Sequence, residues 1–275
     1  MGKISFMTTA QTGSSYFLDP TNLNHKAAEL HEGYVSAEPF PHAVMDDFLP
    51  AWATEKILNE FPDIFAIDWS RYDHEHSKKL ATDKESHMGE FTRAAIHQFN
   101  SAPFLDFLSK LSGIENLIAD PYLWGGGLHQ ITRGGFLNMH ADFNRYKRLG
   151  LDRRLNFLLY LNKDWKEDYG GHLELWDKSM KHCVKKVLPV FNRAVVFSTT
   201  STSYHGHPVP LTCPENASRK SLALYYYTNG RPEHERREEH NTLYRKTPEQ
   251  KKHENKTGKP LYRRVIDRAK AWFKV

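Results

Sequence analysis

The hydrophobic rhythm of the chain changes about two fifths of the way along. In PAWATEKILNEFPD (50–63) the apolar Ala51, Ile57, Leu58 and Phe61 recur at helical spacing behind a start signal at Pro50, which predicts a helix. FTRAAIHQFNSAPFLDFLSKLSG (91–113) predicts two short helices closed by Gly113, and another short helix is expected around Asn22–His31. PFPHAVMDDFLP (39–50) reads as a strand entering a turn, and the polar, His- and Lys-rich stretch 64–90 as a mobile loop. From residue 121 onward the segments are short and rich in β-branched and aromatic residues: YLWGGGLHQI, FLNMHAD, RLNFLLYL, GHLELWD, HCVKKVLPV, RAVVFST and SLALYYYT, separated by Gly, Pro, Asn and Asp. Strands in this number and spacing predict a sandwich or jelly roll, so the fold class is mainly β with flanking helices that cover one outer face. After Gly230-Arg231-Pro232 the chain reads as helical, with YRRVIDRAKAWF amphipathic near its end. The expected division is an arm over 1–40, a β domain with supporting helices over 41–230, and a basic helical extension over 231–275.

Composition narrows the class. A chain of 275 residues with 39% hydrophobic and 13% aromatic residues can bury a substantial core. Its mean hydropathy is −0.66, and no apolar run is long enough to span a bilayer. The opening MGKISFMTTAQTGSS lacks the basic-then-apolar pattern of a secretory signal, so none is expected. Cys183 and Cys213 are the only cysteines, which argues against a disulfide scaffold and a Cys-based zinc cluster and predicts a reducing, cytoplasmic setting. Charge is uneven. Residues 231–275 hold 14 Lys+Arg against 7 Asp+Glu, so a chain of net charge +5 is slightly acidic up to residue 230. The basic tail reads as a solvated face, with nothing else in it pointing to nucleic acid.

The chemistry begins at FLNMHADFN (136–144). If this stretch is a strand, His140 and Asp142 share one face, and Met139 and Ala141 the other. Such a pair is weak in a chain with 16 histidines, most of which, including His74, His76, His87, His234, His240 and His253, read as surface residues. It gains weight from TSTSYHGHPVP (200–210), which places another histidine after a strand, and from ASRKSLALYYY (217–227), which opens a strand with Arg219 and Ser221. Two histidines and a carboxylate make a facial triad for ferrous iron with three positions left open. An Arg and a Ser on a neighbouring strand could hold a distal carboxylate, so a dicarboxylic 2-oxo acid would use both features.

At this point the chain resembles the iron(II)- and 2-oxoglutarate-dependent dioxygenases, and within them the prolyl hydroxylase-like group. The carriers lie within about residues 121–230: HAD (140–142), LLYLNKDW (158–165), YGGHLELW (169–176), NRAVVF (192–197), SYHGHP (203–208) and RKSLALYYY (219–227). The resemblance implies a double-stranded β-helix, a jelly-roll variant. It also implies that His140 and Asp142 ligate the metal, with His205 and His207 competing for the third position and His205 fitting better. Arg219 matches the residue that binds the far carboxylate of 2-oxoglutarate, and Tyr160 matches a tyrosine that hydrogen-bonds the same group. Gln130 lies where relatives often have a tyrosine near the cosubstrate. The implied cofactors are Fe(II), 2-oxoglutarate and O2, with ascorbate as an optional reductant. The carboxylate of Asp142 favours hydroxylation over halogenation. Tyr225, six residues after Arg219, stands where the nucleic-acid repair branch carries a second arginine, so a nucleic-acid partner is not expected. The insert FNRYKRLGLDRR (143–154) reads as a solvated loop or a rim that selects an acidic substrate. The leading expectation is a hydroxylase of a prolyl or other residue in a protein or peptide. The rivals are a small-molecule hydroxylase and a cupin-like metal- or sugar-binding protein, which would need no Arg219–Tyr160 carboxylate site.

Overall fold

The structure, a computed structural model, describes residues 16–257. The amphipathic segment at 262–273 and the first part of the arm lie outside them. Four helices precede or interrupt the first strands: α1 (Pro20–Val35), α2 (Ala51–Asn59), α3 (Glu90–Phe99) and α4 (Ala102–Ser112). Two of them carry clear end signals in the sequence. The Asp19 carboxylate accepts from the Thr21 N–H (2.8 Å) ahead of Pro20, and Gly113 ends α4 in the left-handed conformation. The α3 start is capped from outside: the Glu60 carboxylate, just past α2, accepts from the N–H groups of Phe91 (3.0 Å) and Thr92 (2.7 Å).

The described strands are β1 (His42–Met45), β2 (Ser70–His74), β3 (Ser77–Thr82), β4 (Ile118–Ala119), β5 (Gly127–Thr132), β6 (Phe136–Ala141), β7 (Arg145–Tyr146), β8 (Leu151–Tyr160), β9 (Leu173–Trp176), β10 (Cys183–Val187), β11 (Ala194–Ser198), β12 (His205–His207), β13 (Ser218–Thr228) and β14 (Leu243–Tyr244), followed by helix α5 (Pro248–Thr257). They form one antiparallel sheet in the order β1-β11-β8-β13-β5-β3-β6-β12-β9-β10, curled into a nearly closed jelly roll. One face of β8 and β13 presents Leu155, Phe157, Leu159, Leu222, Leu224 and Tyr226 to the helices. There the Phe157 ring centroid lies 5.0 Å from that of Phe99 and 5.2 Å from that of Phe104. Period-2 alternation sends the other side chains of these strands into the roll.

Three expectations change. The stretch 64–90 is not a loop: it contains the β2–β3 hairpin, and β3 is inserted between β5 and β6. Its polarity misleads because β2 is exposed throughout, while β3 lines a polar interior. The segment 143–154 is not a solvated insert, since β8 already begins at Leu151 and both Arg153 and Arg154 are buried. The start of the extension is not purely helical. β14 returns to pair with β6, Leu243 opposite Ala141 and Tyr244 opposite His140.

Candidate metal and cosubstrate site

β6 and β12 run antiparallel, with His140 directly opposite His205, and Asp142 follows the end of β6. Met139 and Ala141 point the other way, into a cluster with Trp176, Met180 and Tyr204. On the inner face one potential ligand atom from each of His140, Asp142 and His205 lies within 4.8 Å of the others. The Nε2 atoms of His140 and His205 are each 3.5 Å from an oxygen of Asp142. Nδ1 of His140 donates to the Asn138 carbonyl (2.9 Å), and Nδ1 of His205 to that of Ser203 (3.0 Å). A carbonyl can only accept, so the ring protons sit on Nδ1 and both Nε2 lone pairs face the centre. His205 is pulled down to about 4, by burial first and then by the adjacent His140 ring, so its imidazole is neutral at neutral pH. This donor set, imidazole nitrogens and one carboxylate on a single face, suits a ferrous ion. His207, the alternative third ligand, lies farther along, opposite Leu137. Between the two histidines, a Cβ on Gly206 would come within 2.9 Å of the carbonyl oxygens of Leu137 and Asn138; only glycine lets β12 lie so close to β6.

Asp142 has a buried counterion. Arg153, 1% exposed, reaches its Oδ2 at 3.0 Å, and the Asn156 amide donates to the same oxygen at 2.8 Å. The side-chain Oδ1 of Asn156 accepts in turn from Arg153 Nε and Nη2 at 3.0 and 2.8 Å, and the guanidinium stacks 3.5 Å from the Tyr225 ring centroid. Burial alone would raise the Asp142 carboxyl. Arg153, then the two histidines, outweigh it and hold the group well below the usual carboxylate range. Arg153 and Asn156 are three apart on a strand, yet share a face. The register between β8 and β13 slips at Arg154, and this bulge turns Arg153 inward. No period-2 reading of the sequence reveals that slip.

The other end of the pocket is built on Arg219. Its Nε donates to the Gly171 carbonyl (2.8 Å) and its Nη2 to the Tyr160 hydroxyl (3.2 Å), and no carboxylate among the described residues pairs with it. Gly171, the second glycine of YGGHLELW, has φ +73°, and a Cβ there would meet Leu211 at 2.6 Å and the Arg219 Cδ at 3.0 Å. The missing side chain of Gly171 thus makes room for the Arg219 side chain. Ser221 lies beside it, opposite Tyr160 on one side and His129 on the other, and lines the same pocket. Gln130 does not. Its amide donates to Ser218 Oγ (2.9 Å) on the opposite face of β5, and the pocket is lined instead by its neighbours His129 and Ile131. An alignment one residue out exchanges the two faces of a strand.

The pocket joining the two ends has a volume of about 240 Å³ and contains groups the sequence did not single out. Lys79, from β3, has its ammonium pulled down to about 8 by burial. His207 is 3% exposed, and both of its ring nitrogens lack a hydrogen-bond partner, as does His129 Nε2. Tyr244 of β14 stacks on His76 at the tip of the β2–β3 hairpin, with centroids 4.2 Å apart and planes within 10°, and roofs the pocket.

Residues 126–227, which supply most of these side chains, match the model of the 2OG-Fe(II) oxygenase superfamily. The chain is 26% identical over 217 residues to the mouse prolyl 3-hydroxylase OGFOD1, an alignment covering 75% of this chain and 35% of that protein. Among solved structures it resembles a prolyl hydroxylase from Trichoplax adhaerens in complex with a hypoxia-inducible-factor peptide fragment (TM-score 0.55, 18% identity, 75% of this chain and 91% of that one). It also resembles a prolyl-4-hydroxylase from Pseudomonas putida (TM-score 0.50, 19% identity, 74% and 100%). These likenesses establish the double-stranded β-helix fold.

Proposed function

We propose that the protein is an Fe(II)- and 2-oxoglutarate-dependent dioxygenase that hydroxylates an unactivated C–H, with a prolyl or other residue of a protein or peptide as substrate. The observation that carries this reading is the pairing of two features in one pocket: the His140–Asp142–His205 donor set and a guanidinium, Arg219, with no acidic partner among the described residues. His140, Asp142 and His205 would hold the iron, while Arg219, Tyr160 and Ser221 would hold the far carboxylate of 2-oxoglutarate. When bound, iron and cosubstrate supply O2 activation coupled to oxidative decarboxylation, releasing succinate and CO2 and placing one oxygen atom in the substrate. Arg153 and Asn156 hold Oδ2 of Asp142 and so fix the carboxylate between the two histidines. Leu158 and Leu173 give the pocket apolar walls. The identity to OGFOD1 supports the prolyl assignment. The roof formed by His76 and Tyr244 favours a second reading, a compact small-molecule substrate.

We also propose that 41–230 is the catalytic unit and, from the two unpaired cysteines, that it works in the cytoplasm. Among the described residues no helix is long and apolar enough to cross a membrane. The test is Fe(II)-dependent succinate formation from 2-oxoglutarate, with mass spectrometry of proline-containing peptides for the gain of one oxygen. Turnover should vanish on chelation with EDTA and return with Fe(II). A protein that neither turns over nor gains thermal stability from 2-oxoglutarate with Mn(II) would be a non-oxygenase of the same fold.

A further inference from the structure

The surface beside the pocket mouth carries aromatic area that the packing of the fold does not use. In the loop between β4 and β5, Trp124 is 54% exposed and Tyr122 44%. Neither is loosely held. The buried Asp120 carboxylate accepts from the N–H groups of Tyr122 (2.9 Å) and Trp124 (2.8 Å). The Gly126 N–H donates to the Leu123 carbonyl (2.8 Å), and the Tyr225 hydroxyl to that of Gly125 (2.9 Å). The Trp124 ring stacks on Tyr146, with centroids 5.8 Å apart and planes within 17°, and Tyr146 lies against Tyr227 at 5.6 Å. Large rings pinned in the open by a tied loop mark a binding surface.

This surface is continuous with the pocket. Gly125, next to Trp124, lines the pocket together with Phe143 and Tyr225, and a Cβ on it would lie 3.7 Å from the Tyr225 ring. Along β13, Arg219 and Ser221 lie toward one end and Tyr225 and Tyr227 toward the other, and the Tyr146–Trp124 stack is built on Tyr227. At about 3.3 Å per residue, Tyr227 is some 25 Å along the strand from Arg219. A compact substrate inside the pocket leaves the stack untouched, whereas a chain leaving the pocket past Gly125 runs onto it. Charge gives the sign of the partner. Arg148 lays its guanidinium on the Tyr122 ring, 3.7 Å to the centroid, and no described carboxylate pairs with it. Its neighbours Arg145 and Lys147 are already matched by Asp152 and Glu239.

We propose that Trp124 and Arg148 dock the chain that flanks the reacting residue of an acidic, proline-containing peptide. This rests on the functional reading above and deepens it, because it selects an extended substrate over a compact one. The open face of the indole takes a prolyl ring, as aromatic grooves take proline-rich segments. The guanidinium, held flat on Tyr122, takes an acidic side chain through paired charge-assisted hydrogen bonds. No covalent step is involved.

The test is calorimetry on the full-length protein loaded with Mn(II) and 2-oxoglutarate, with three probes. Two are twelve-residue acetylated peptides, one repeating Pro-Pro-Glu and one repeating Pro-Pro-Gln; the third is N-acetylprolinamide, too short to leave the pocket. Wild-type protein should bind the Glu peptide best, the Gln peptide less well and N-acetylprolinamide least. Trp124→Ala should weaken both long peptides by about tenfold, and Trp124→Phe should recover most of that loss. Arg148→Gln should weaken the Glu peptide alone, to the level of the Gln peptide. The affinity of all three variants for 2-oxoglutarate should stay at the wild-type value; a fall in it would make the loop structural and overturn the dock. If Trp124→Ala binds the long peptides as wild type does, or wild type does not tell them from N-acetylprolinamide, the dock is overturned while the functional reading stands. A preference for Glu over Gln that survives in Arg148→Gln overturns the acidic contact. If wild-type protein does not bind 2-oxoglutarate, the functional reading falls and the dock with it.

Discussion

The two faces of β8 and β13 carry opposite kinds of burial. Outward, Leu155, Phe157, Leu159, Leu222, Leu224 and Tyr226 meet the rings of α3 and α4 in a wholly apolar layer. Inward, the same strands present Arg153, Asn156, Tyr160, Arg219, Ser221 and Tyr225 to the roll. Both sets are buried, so exposure does not tell them apart; satisfaction does. The outer layer is complete within the protein. The inner one is complete only around Asp142, through Arg153 and Asn156, and leaves Arg219, His207 and the Nε2 atoms of His140 and His205 without full partners. The outer face should therefore govern stability, and the inner face ligand affinity, with little exchange between them.

The sharpest break would come at the metal. His205→Ala should weaken Mn(II) binding by more than about 100-fold, beyond the usual cost of losing an outer-shell partner, and abolish succinate formation. Ligand-free stability should fall by less than in Phe157→Ala, because the His205 ring borders the open pocket, although its loss forfeits the Ser203 hydrogen bond and the contact with Phe197. A large fall in the urea midpoint, with metal affinity retained, would show that the inner face is a structural core after all. Phe157→Ala should do the converse. Its ring touches Phe99, Phe104 and Phe48, and its loss should cost about 3–5 kcal/mol in denaturant unfolding. The fraction that stays folded should bind 2-oxoglutarate with wild-type affinity. Gly171→Ala should affect both properties, because the residue joins the two. Its left-handed backbone would strain an L side chain by about 1–2 kcal/mol. The new methyl would also press on the Arg219 Cδ and weaken 2-oxoglutarate binding, measurable by thermal shift with Mn(II).

The outer face was legible because its chemistry is periodic. The apolar spacing of 50–63 and 91–113, Gly113 and the seven strand segments all appear in the structure, since helix and strand burial repeat along the chain. The convergence of His140, Asp142 and His205 was visible from alternation on one strand together with a resemblance in the surrounding motifs. Three inner features had no such signal. Arg153 faces inward only through a bulge. Lys79 sits on a strand whose partner strand is exposed, so the hairpin reads as a loop. Tyr244 reaches the pocket through a two-residue strand some hundred positions from the β6 residues it covers, and pairing at that distance leaves no local pattern.

The smallest expected effect is the most discriminating about the inner face, because it concerns one residue step. Gln130 and His129 are neighbours on β5, and only His129 faces the pocket. Gln130→Leu removes a hydrogen bond to Ser218 Oγ, but that hydroxyl keeps a second partner in Lys220 Nζ at 2.8 Å. It also removes the Gln130 Oε1 atom, which is buried without a partner. A lost bond and a relieved acceptor nearly offset each other, so stability should fall by no more than about 1 kcal/mol. The 2-oxoglutarate affinity should not move, since no atom of the pocket changes. A tenfold loss of affinity in Gln130→Leu, with the fold intact by circular dichroism, would mean that β5 pairs with β13 one residue away from the Gln130↔Lys220 register. His129 and Ile131 would then leave the pocket, and Gln130 would take the cosubstrate role that its place in the sequence suggests.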